Sequence, residues 1–206
     1  MLRSLTTLQG SKIVAKDGEL GEVRDFLFDD RTWKVRYLVV ETGSWLSRRQ
    51  VLVAPTVASQ PELDKRVIAV DLTVDQVRHS PDVDTAQPVS RQSEIAMSQH
   101  YGWGTYWTVE PPLSPVLVAD APIEPEGDPH LRSMKEVVSY SARAAGDEVG
   151  KVDDLIIDDT RWSIRYLAVK TGSWLDGQKI LLSTESVGSI SWTHREVSVP
   201  ASLQEV

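Results

Sequence analysis

The fold of this chain is decided by a stretch that occurs twice. It reads GEVRDFLFDDRTWKVRYLVVETGSWLSRRQVLV at residues 21–53 and GKVDDLIIDDTRWSIRYLAVKTGSWLDGQKILL at residues 150–182. The two stretches align without a gap at an offset of 129 residues, and the offset continues downstream, where RVIAV at 66–70 aligns with REVSV at 195–199. Because 129 residues exceed the unit of a solenoid repeat, the pattern indicates two copies of one small domain. We place copy 1 at residues 1–80, a linker at 81–129 and copy 2 at 130–206.

The residues within each copy predict β-strands. The segments KVRYLVVE and SIRYLAVK are rich in β-branched and aromatic residues, as are their neighbours EVRDFLFD and QVLVAP. Turn residues separate these segments, because Asp29-Asp30 and Asp158-Asp159 begin hairpin turns and a Gly-Ser pair at 43–44 makes the next turn. Short strands at this spacing predict a small all-β barrel or sandwich in each copy.

Apolar residues also occur consecutively, which a barrel lining does not require. Positions 26–28 and 155–157 are apolar without a break. Alternation along the following strand places Val35, Tyr37 and Val39 on one side. We therefore expect the outer face of this sheet to be covered by the other copy, by the linker or by a second chain. The alternative is scattered apolar surface, which is normal in proteins.

The motif DGELGEVRDFLFDD followed by W.VRYLVV.TGSWL resembles the PRC-barrel family, and GDEVGKVDDLIIDDTRWSIRYLAVKTGSWL in copy 2 resembles it equally. The family includes the cytoplasmic domain of the photosynthetic reaction-centre H subunit and a barrel of a ribosome-maturation factor. The resemblance implies two small SH3-like barrels that dock onto other macromolecules. It implies no catalytic residues and no cofactor, because members share a scaffold rather than a reaction.

The linker is rich in proline but contains a predicted helix near residues 90–101. Ser90 is placed to cap its first turn, and Glu94 lies close to the capping-box position. Gly102 and Gly104 are placed to end it. A second short helix is predicted after copy 1, within LTVDQVRHSPD at 72–82.

Three large aromatic residues, Trp103, Tyr106 and Trp107, follow the linker helix. A linker that only spans a distance does not need them. We expect them to dock on the covered sheet faces, so that the linker acts as a clasp between the copies.

Composition excludes several classes of function. The net charge is −8, and residues 1–80 carry 12 basic against 11 acidic side chains, so we expect no nucleic-acid partner. The chain contains no cysteine, which excludes thiolate chemistry and fits a cytoplasmic location. No apolar run approaches the length of a membrane span, and MLRSLTTLQGSKIVAKDGE does not resemble a signal peptide, so we expect no membrane insertion.

The paired aspartates could hold a cation or act as acid and base, but turn formation explains them more simply. Asp25 and Asp154 are expected to form cross-strand ion pairs with Arg36 and Arg165 on the next strand. The chain has four histidines, and none lies two to four residues from another, so we expect no local metal site, no catalytic residue and no cofactor.

Candidate interaction residues lie at the two repeated loops and in the linker. Trp45 and Trp174 could form aromatic platforms for a partner or fold back over the barrel as packing, which we favour. The loop tips beyond them differ between the copies, because Arg48 and Arg49 make one tip basic and Asp176 makes the other acidic. The linker adds the two tryptophans of its aromatic cluster, residues 103 and 107.

These observations predict a non-enzymatic interaction or assembly module with a protein partner, including self-association. One alternative, from the resemblance alone, is an accessory factor of a membrane-bound photosynthetic or electron-transfer complex. A second alternative is an enzyme or small-ligand binder, which would require a pocket with converging polar groups.

Overall fold

A computed structural model describes residues 1–46, 48–81, 91–103, 130–171 and 178–199. The strands of the described residues are β1 (Leu2–Ser4), β2 (Lys12–Val14), β3 (Glu19–Asp29), β4 (Lys34–Thr42), β5 (Gln50–Val53), β6 (Val67–Ala69), β7 (Leu131–Ser133), β8 (Ser141–Ala144), β9 (Asp147–Asp158), β10 (Ser163–Thr171), β11 (Lys179–Ser183), β12 (Ile190–Ser191) and β13 (Glu196–Ser198). The α-helices described are α1 (Leu5–Leu8), α2 (Val74–Arg78), α3 (Arg91–Tyr101) and α4 (Met134–Val137).

The predicted fold class is confirmed: the chain is mostly β, with two equivalent halves and small helices. The expectation that each barrel closes on itself is wrong for the described residues. The strand order runs as an open path, β12-β13-β8-β9-β10-β4-β3-β2-β6, with β1, β5, β7 and β11 attached to its members. Both copies belong to the same sheet, which is joined where β4 meets β10.

The junction between the copies is a short antiparallel pairing of Lys34 with Ser163. The N–H of Val35 donates to the carbonyl of Trp162 at 2.8 Å, and the N–H of Ile164 donates to the carbonyl of Trp33 at 2.7 Å. Both tryptophans adopt left-handed backbone angles, with φ of 56° and 50°. Such angles are uncommon outside glycine, and here they aim both carbonyls at the other copy.

The two copies exchange their first segments. In copy 1, β1 pairs with β9 of copy 2, with Leu2 opposite Asp158. In copy 2, β7 pairs with β3 of copy 1, with Leu131 opposite Asp29. The helices α1 and α4 follow directly and pack on the same partner strands. We call residues 2–8 and 131–137 the exchanged segments.

The hydrophobic core is continuous across the two copies rather than divided between them. It contains buried residues of both, and the ring of Phe26 in copy 1 lies 6.4 Å from that of Trp162 in copy 2. Leu5 and Met134, one from each exchanged segment, are fully buried in it. A shared core of this kind makes the folding of one copy depend on the other.

The prediction that Val35, Tyr37 and Val39 share one side of their strand is wrong. The pairing of β3 with β4 shifts register between Leu27 and Phe28, which leaves Arg36 as an extra residue. This β-bulge turns Val35 toward the core, whereas Tyr37 and Val39 stay on the outer face. Copy 2 has the same irregularity between Ile164 and Tyr166.

Gly21 and Gly150 mark a close backbone approach that both copies share. A Cβ at Gly150 would lie 2.4 Å from the carbonyl oxygen of Lys170, and one at Gly21 would lie 2.0 Å from that of Glu41. We expect Gly150→Ala to lower the free energy of unfolding by about 3 kcal/mol, because β9 and β10 must separate to admit the methyl group. Urea unfolding measures the loss.

Gly18→Ala is the matched control, because its Cβ would meet only the methyl group of Val74, at 3.2 Å. An equal loss in both variants would contradict the steric explanation and would point to the backbone freedom of glycine instead.

Candidate functional site

Four aspartates hold the exchanged segments in place. The side chain of Asp159 is fully buried and accepts hydrogen bonds from the N-terminal ammonium of Met1, at 2.5 Å, and from Nε of Arg3. At the equivalent position of copy 1, Asp30 accepts from Nε of Arg132 at 2.7 Å and lies 2.8 Å from Nδ1 of His130. Burial alone would raise the pKa of the Asp159 carboxyl, but the two cations outweigh it and hold the pKa below its ordinary value.

A second pair of aspartates caps the helices of the exchanged segments. Asp25 accepts hydrogen bonds from the hydroxyl of Ser133 and from the N–H of Lys135 at 3.0 Å. Asp154 accepts from the hydroxyl of Ser4 and from the N–H of Thr6 at 3.1 Å. Burial raises the pKa of Asp25, and these hydrogen bonds offset it only in part.

The predicted ion pairs of these two aspartates with Arg36 and Arg165 are therefore wrong. The exchanged segment of the other copy occupies both carboxylates, and the bulge turns Arg36 toward Asp29, with Nη2 3.3 Å from Oδ2. Arg165, at the corresponding bulge, is exposed.

Asp29 and Asp158 form turns, as the sequence predicts. Oδ1 of Asp29 accepts from the N–H groups of Arg31 at 3.0 Å and Thr32 at 2.8 Å, and Asp158 accepts from the N–H of Thr160. Burial pushes the pKa of Asp29 upward, but these N–H groups and the charge of Arg36 together lower it below its ordinary value.

The sequence contains a signal for these contact residues, although not for the exchange itself. The tripeptide LRS occurs at residues 2–4 and again at 131–133, at the same offset of 129 as the barrel motif. These tripeptides supply the Arg and Ser that bind the four aspartates, of which Asp154 and Asp159 are buried. The repeat therefore begins at the first residues of each copy.

The outer face of copy 1, which we call the closed face, is covered. Leu27, Tyr37, Val39 and Leu52 form an apolar cluster there. Helix α3 lies on this cluster, and its Met97 is fully buried within it. The sequence did not decide whether the other copy, the linker or a second chain covers this face. On copy 1, the linker helix covers it.

The linker helix ends as predicted, and Trp103 docks beside it. Gly102 has a φ of 69°, and the N–H of Trp103 donates to the carbonyl of Ser98 at 3.0 Å, which is the Schellman pattern. The rings of Trp103 and Tyr101 stack, with centroids 4.3 Å apart. Burial raises the pKa of the Tyr101 hydroxyl. Ser90, Gly104, Tyr106 and Trp107 lie outside the described residues.

The outer face of copy 2, which we call the open face, has no such cover among the described residues. It contains Leu2, Ile156, Tyr166, Ala168 and Leu181. Leu2 is 54% exposed and Leu181 is 61% exposed, while Ile156 and Tyr166 are half-buried. Leu181 stands opposite Ala168 in the strand pairing, and Tyr166 stands opposite Ile156. These residues form an apolar patch on a sheet surface that elsewhere in the chain takes a helix.

Lysines border the open face. Lys170 of β10 pairs with Lys151 on one side and with Lys179 on the other, so three lysines face one another across three strands. Like charges placed directly opposite destabilise a sheet. Within the described residues, Asp153 pairs with Lys179 at 2.6 Å, and Lys151 and Lys170 make no ion pair.

The candidate residues of the copy 1 loop have different environments. Arg49 is used structurally: its Nη2 donates to the carbonyls of Val77 at 2.9 Å and Arg78 at 3.1 Å, and so caps the end of α2. Arg48 is exposed, with a φ of 55°. Trp45 belongs to a short 3-10 helix, Ser44–Leu46.

Trp174 and Asp176 lie outside the described residues, as do residues 200–206, which follow copy 2. The helix predicted after copy 1 is confirmed as α2, with a capping box formed by Thr73 and Gln76.

A cavity of about 480 Å³ lies between the copies, beside the junction. Tyr37, Trp103 and Trp162 line it, with Lys34 and Asp159 among its polar neighbours. Asp159 already accepts from the two cations of the exchanged segment. The cavity therefore presents aromatic surface to a ligand, while the carboxylate of Asp159 is already bound by the exchanged segment.

Among the described residues, no group of three or more His, Asp or Glu is placed to hold a metal ion. None of the helices described is both long and apolar enough to span a membrane.

Comparison with models of known protein families finds a match in each of the two copies. The model of the PRC-barrel domain matches residues 2–77 and again residues 136–201. No curated protein matches the chain.

Proposed function

The chain belongs to the PRC-barrel family, and from this premise we propose that it is a non-enzymatic protein-interaction and assembly module. The open face is its binding surface. The supporting observation is the contrast between equivalent faces, because Leu52 of copy 1 is fully buried whereas its counterpart Leu181 in copy 2 is 61% exposed. Exposed apolar patches on a folded surface mark interaction sites.

The non-enzymatic part of the proposal rests on how the buried carboxylates are used. Asp30 and Asp159, and likewise Asp25 and Asp154, bind the exchanged segment of the other copy. Each therefore has a structural role that explains its burial and its position in both copies. The proposed location is the cytoplasm, which the absence of cysteine supports.

We expect Leu181→Asp to abolish the binding of protein partners without unfolding the chain, because this side chain is 61% exposed. The measurement is capture from native lysate on immobilised chain, with the wild type and the variant compared side by side. Leu63→Asp is the matched control, because Leu63 is also exposed, at 42%, but lies off the open face. Identical captured proteins on all three chains would contradict the proposal.

Self-association, expected from the sequence, remains part of the proposal. It would use a surface other than the open face, and light scattering at micromolar concentration should then give a mass above the 22.9 kDa of one chain. A mass of one chain over the whole concentration range would remove self-association and would leave other protein partners as the only occupants.

A further inference from the structure

We propose that the open face binds an acidic amphipathic helix of a partner protein, in the position that α3 occupies on the closed face. This inference rests on the proposed function and names the class of partner. It depends on the internal repeat, because copy 1 shows which element this sheet surface accepts.

The first step is the match between the two faces. Five apolar positions of the closed face have apolar counterparts at the offset of 129 residues. The pairs are Leu27 and Ile156, Tyr37 and Tyr166, Val39 and Ala168, Leu52 and Leu181, and Leu131 and Leu2. The strand register is also the same, since Tyr37 stands opposite Leu27 as Tyr166 stands opposite Ile156. A surface with this shape and chemistry accepts the apolar side of a helix.

The second step concerns the anchor. On the closed face Met97 is fully buried beside Val39. On the open face Ala168 replaces that valine, which removes two methyl groups beside the anchor position. Ala168 is itself only 5% exposed, so the anchor would rest on Tyr166 and Leu181 beside it, and we expect leucine, methionine or phenylalanine there.

The third step is charge. The row Glu22, Glu41 and Gln50 borders the closed face, and with Arg24 it has a net charge of −1. The equivalent row on the open face is Lys151, Lys170 and Lys179, which with Asp153 has a net charge of +2. This local positive charge contrasts with the −8 of the whole chain. Acidic residues flanking the apolar side of a helix would complement it.

The same row of lysines argues against a second copy as the occupant. In a symmetric dimer whose two-fold axis crosses this row, Lys151, Lys170 and Lys179 of one chain would lie near those of the other. Such like-charge contacts oppose association. An acidic helix meets the same lysines with the opposite sign.

The test uses two synthetic fluorescein-labelled helical peptides of the length of α3. Both present leucine and methionine on one side, and they differ only in having glutamate or lysine beside that stripe. Fluorescence anisotropy against the full chain should show tighter binding of the glutamate peptide, with the difference shrinking as salt is added. Leu181→Asp should weaken this binding at least tenfold, or by about 1.4 kcal/mol. Leu63→Asp should leave it unchanged.

Lys170→Glu tests whether the row of lysines selects the partner by its charge, which a purely structural role of Lys170 would not do. The variant should abolish the preference between the two peptides, because it lowers the net charge of the row from +2 to zero. Circular dichroism checks that each variant keeps the fold. Equal affinity of the wild type for both peptides, or an undiminished preference in a folded Lys170→Glu, would overturn the assignment of an acidic partner.

Other occupants give distinct results. A wild-type dimer that Leu181→Asp converts to a monomer would identify a second copy. Peptide binding that appears only after residues 104–129 are replaced by a glycine-serine linker would identify that segment. Tighter binding to phosphatidylglycerol vesicles than to the glutamate peptide would identify a membrane. Each result overturns the acidic helix, whereas the proposed function fails only if capture of proteins does not depend on Leu181.

Discussion

Removal of residues 1–8 is expected to unfold copy 2, although these residues belong to copy 1 in the sequence. The deletion takes Leu5 and Leu8 out of the core, where both are buried, and each contributes about 1.5–3 kcal/mol. It also leaves the fully buried Asp159 without Arg3 and the terminal ammonium, which costs about 3–5 kcal/mol. The combined loss is comparable to the whole stability of a typical domain, about 5–15 kcal/mol.

Chemical denaturation of the truncated chain, followed by tryptophan fluorescence, measures this loss. Leu2→Ala is the matched control within the same segment, because Leu2 is 54% exposed and its truncation should change the stability little. A truncated chain that melts like the full chain would show that the exchanged segment is not needed to fold copy 2.

The second large effect is expected when the copies are produced separately. A fragment of residues 1–103 lacks the segment Leu131–Val137 that covers β3, and a fragment of residues 130–206 lacks the segment Leu2–Leu8 that covers β9. Each fragment alone should lack fixed tertiary structure, and mixing the two should restore it as a complex. Dispersion of amide signals in NMR spectra, before and after mixing, checks this outcome.

The control for the fragments is a full chain cut after folding, at a protease site introduced within residues 104–129. The two pieces should stay together, because the junction, the shared core and the exchanged segments do not need the covalent connection. Cooperative unfolding of either fragment on its own would contradict the dependence of one copy on the other.

The sequence predicted the features that depend on local chemistry. Asp29 makes the turn expected of an aspartate before a hairpin, and Gly102 ends the linker helix in a left-handed conformation. The covered outer face of copy 1 was also predicted, since consecutive apolar residues at 26–28 cannot all point into one core. These features are readable because each depends on neighbours close in the chain.

The features that the sequence did not predict depend on register and on partner choice. The alternation of side chains along a strand does not reveal the extra residue at Arg36. The sequence therefore places Val35 on the wrong face of the sheet. Leu2–Ser4 could pair with either copy as judged by its residues, because Asp25 and Asp154 occupy equivalent positions in the two long strands. Only the three-dimensional path of the chain selects the other copy, and this choice changes the role of four aspartates.

The exchange of first segments has a consequence for how the two halves can diverge. The residues that keep one half folded are encoded in the other, so a change at Asp159 is felt by Arg3 and not by its own neighbours in sequence. Neither half can be discarded, yet their outward surfaces are free to specialise. Copy 1 can keep its outer face permanently covered by the linker helix, while substitutions on the outer face of copy 2 adapt it to a different binding partner.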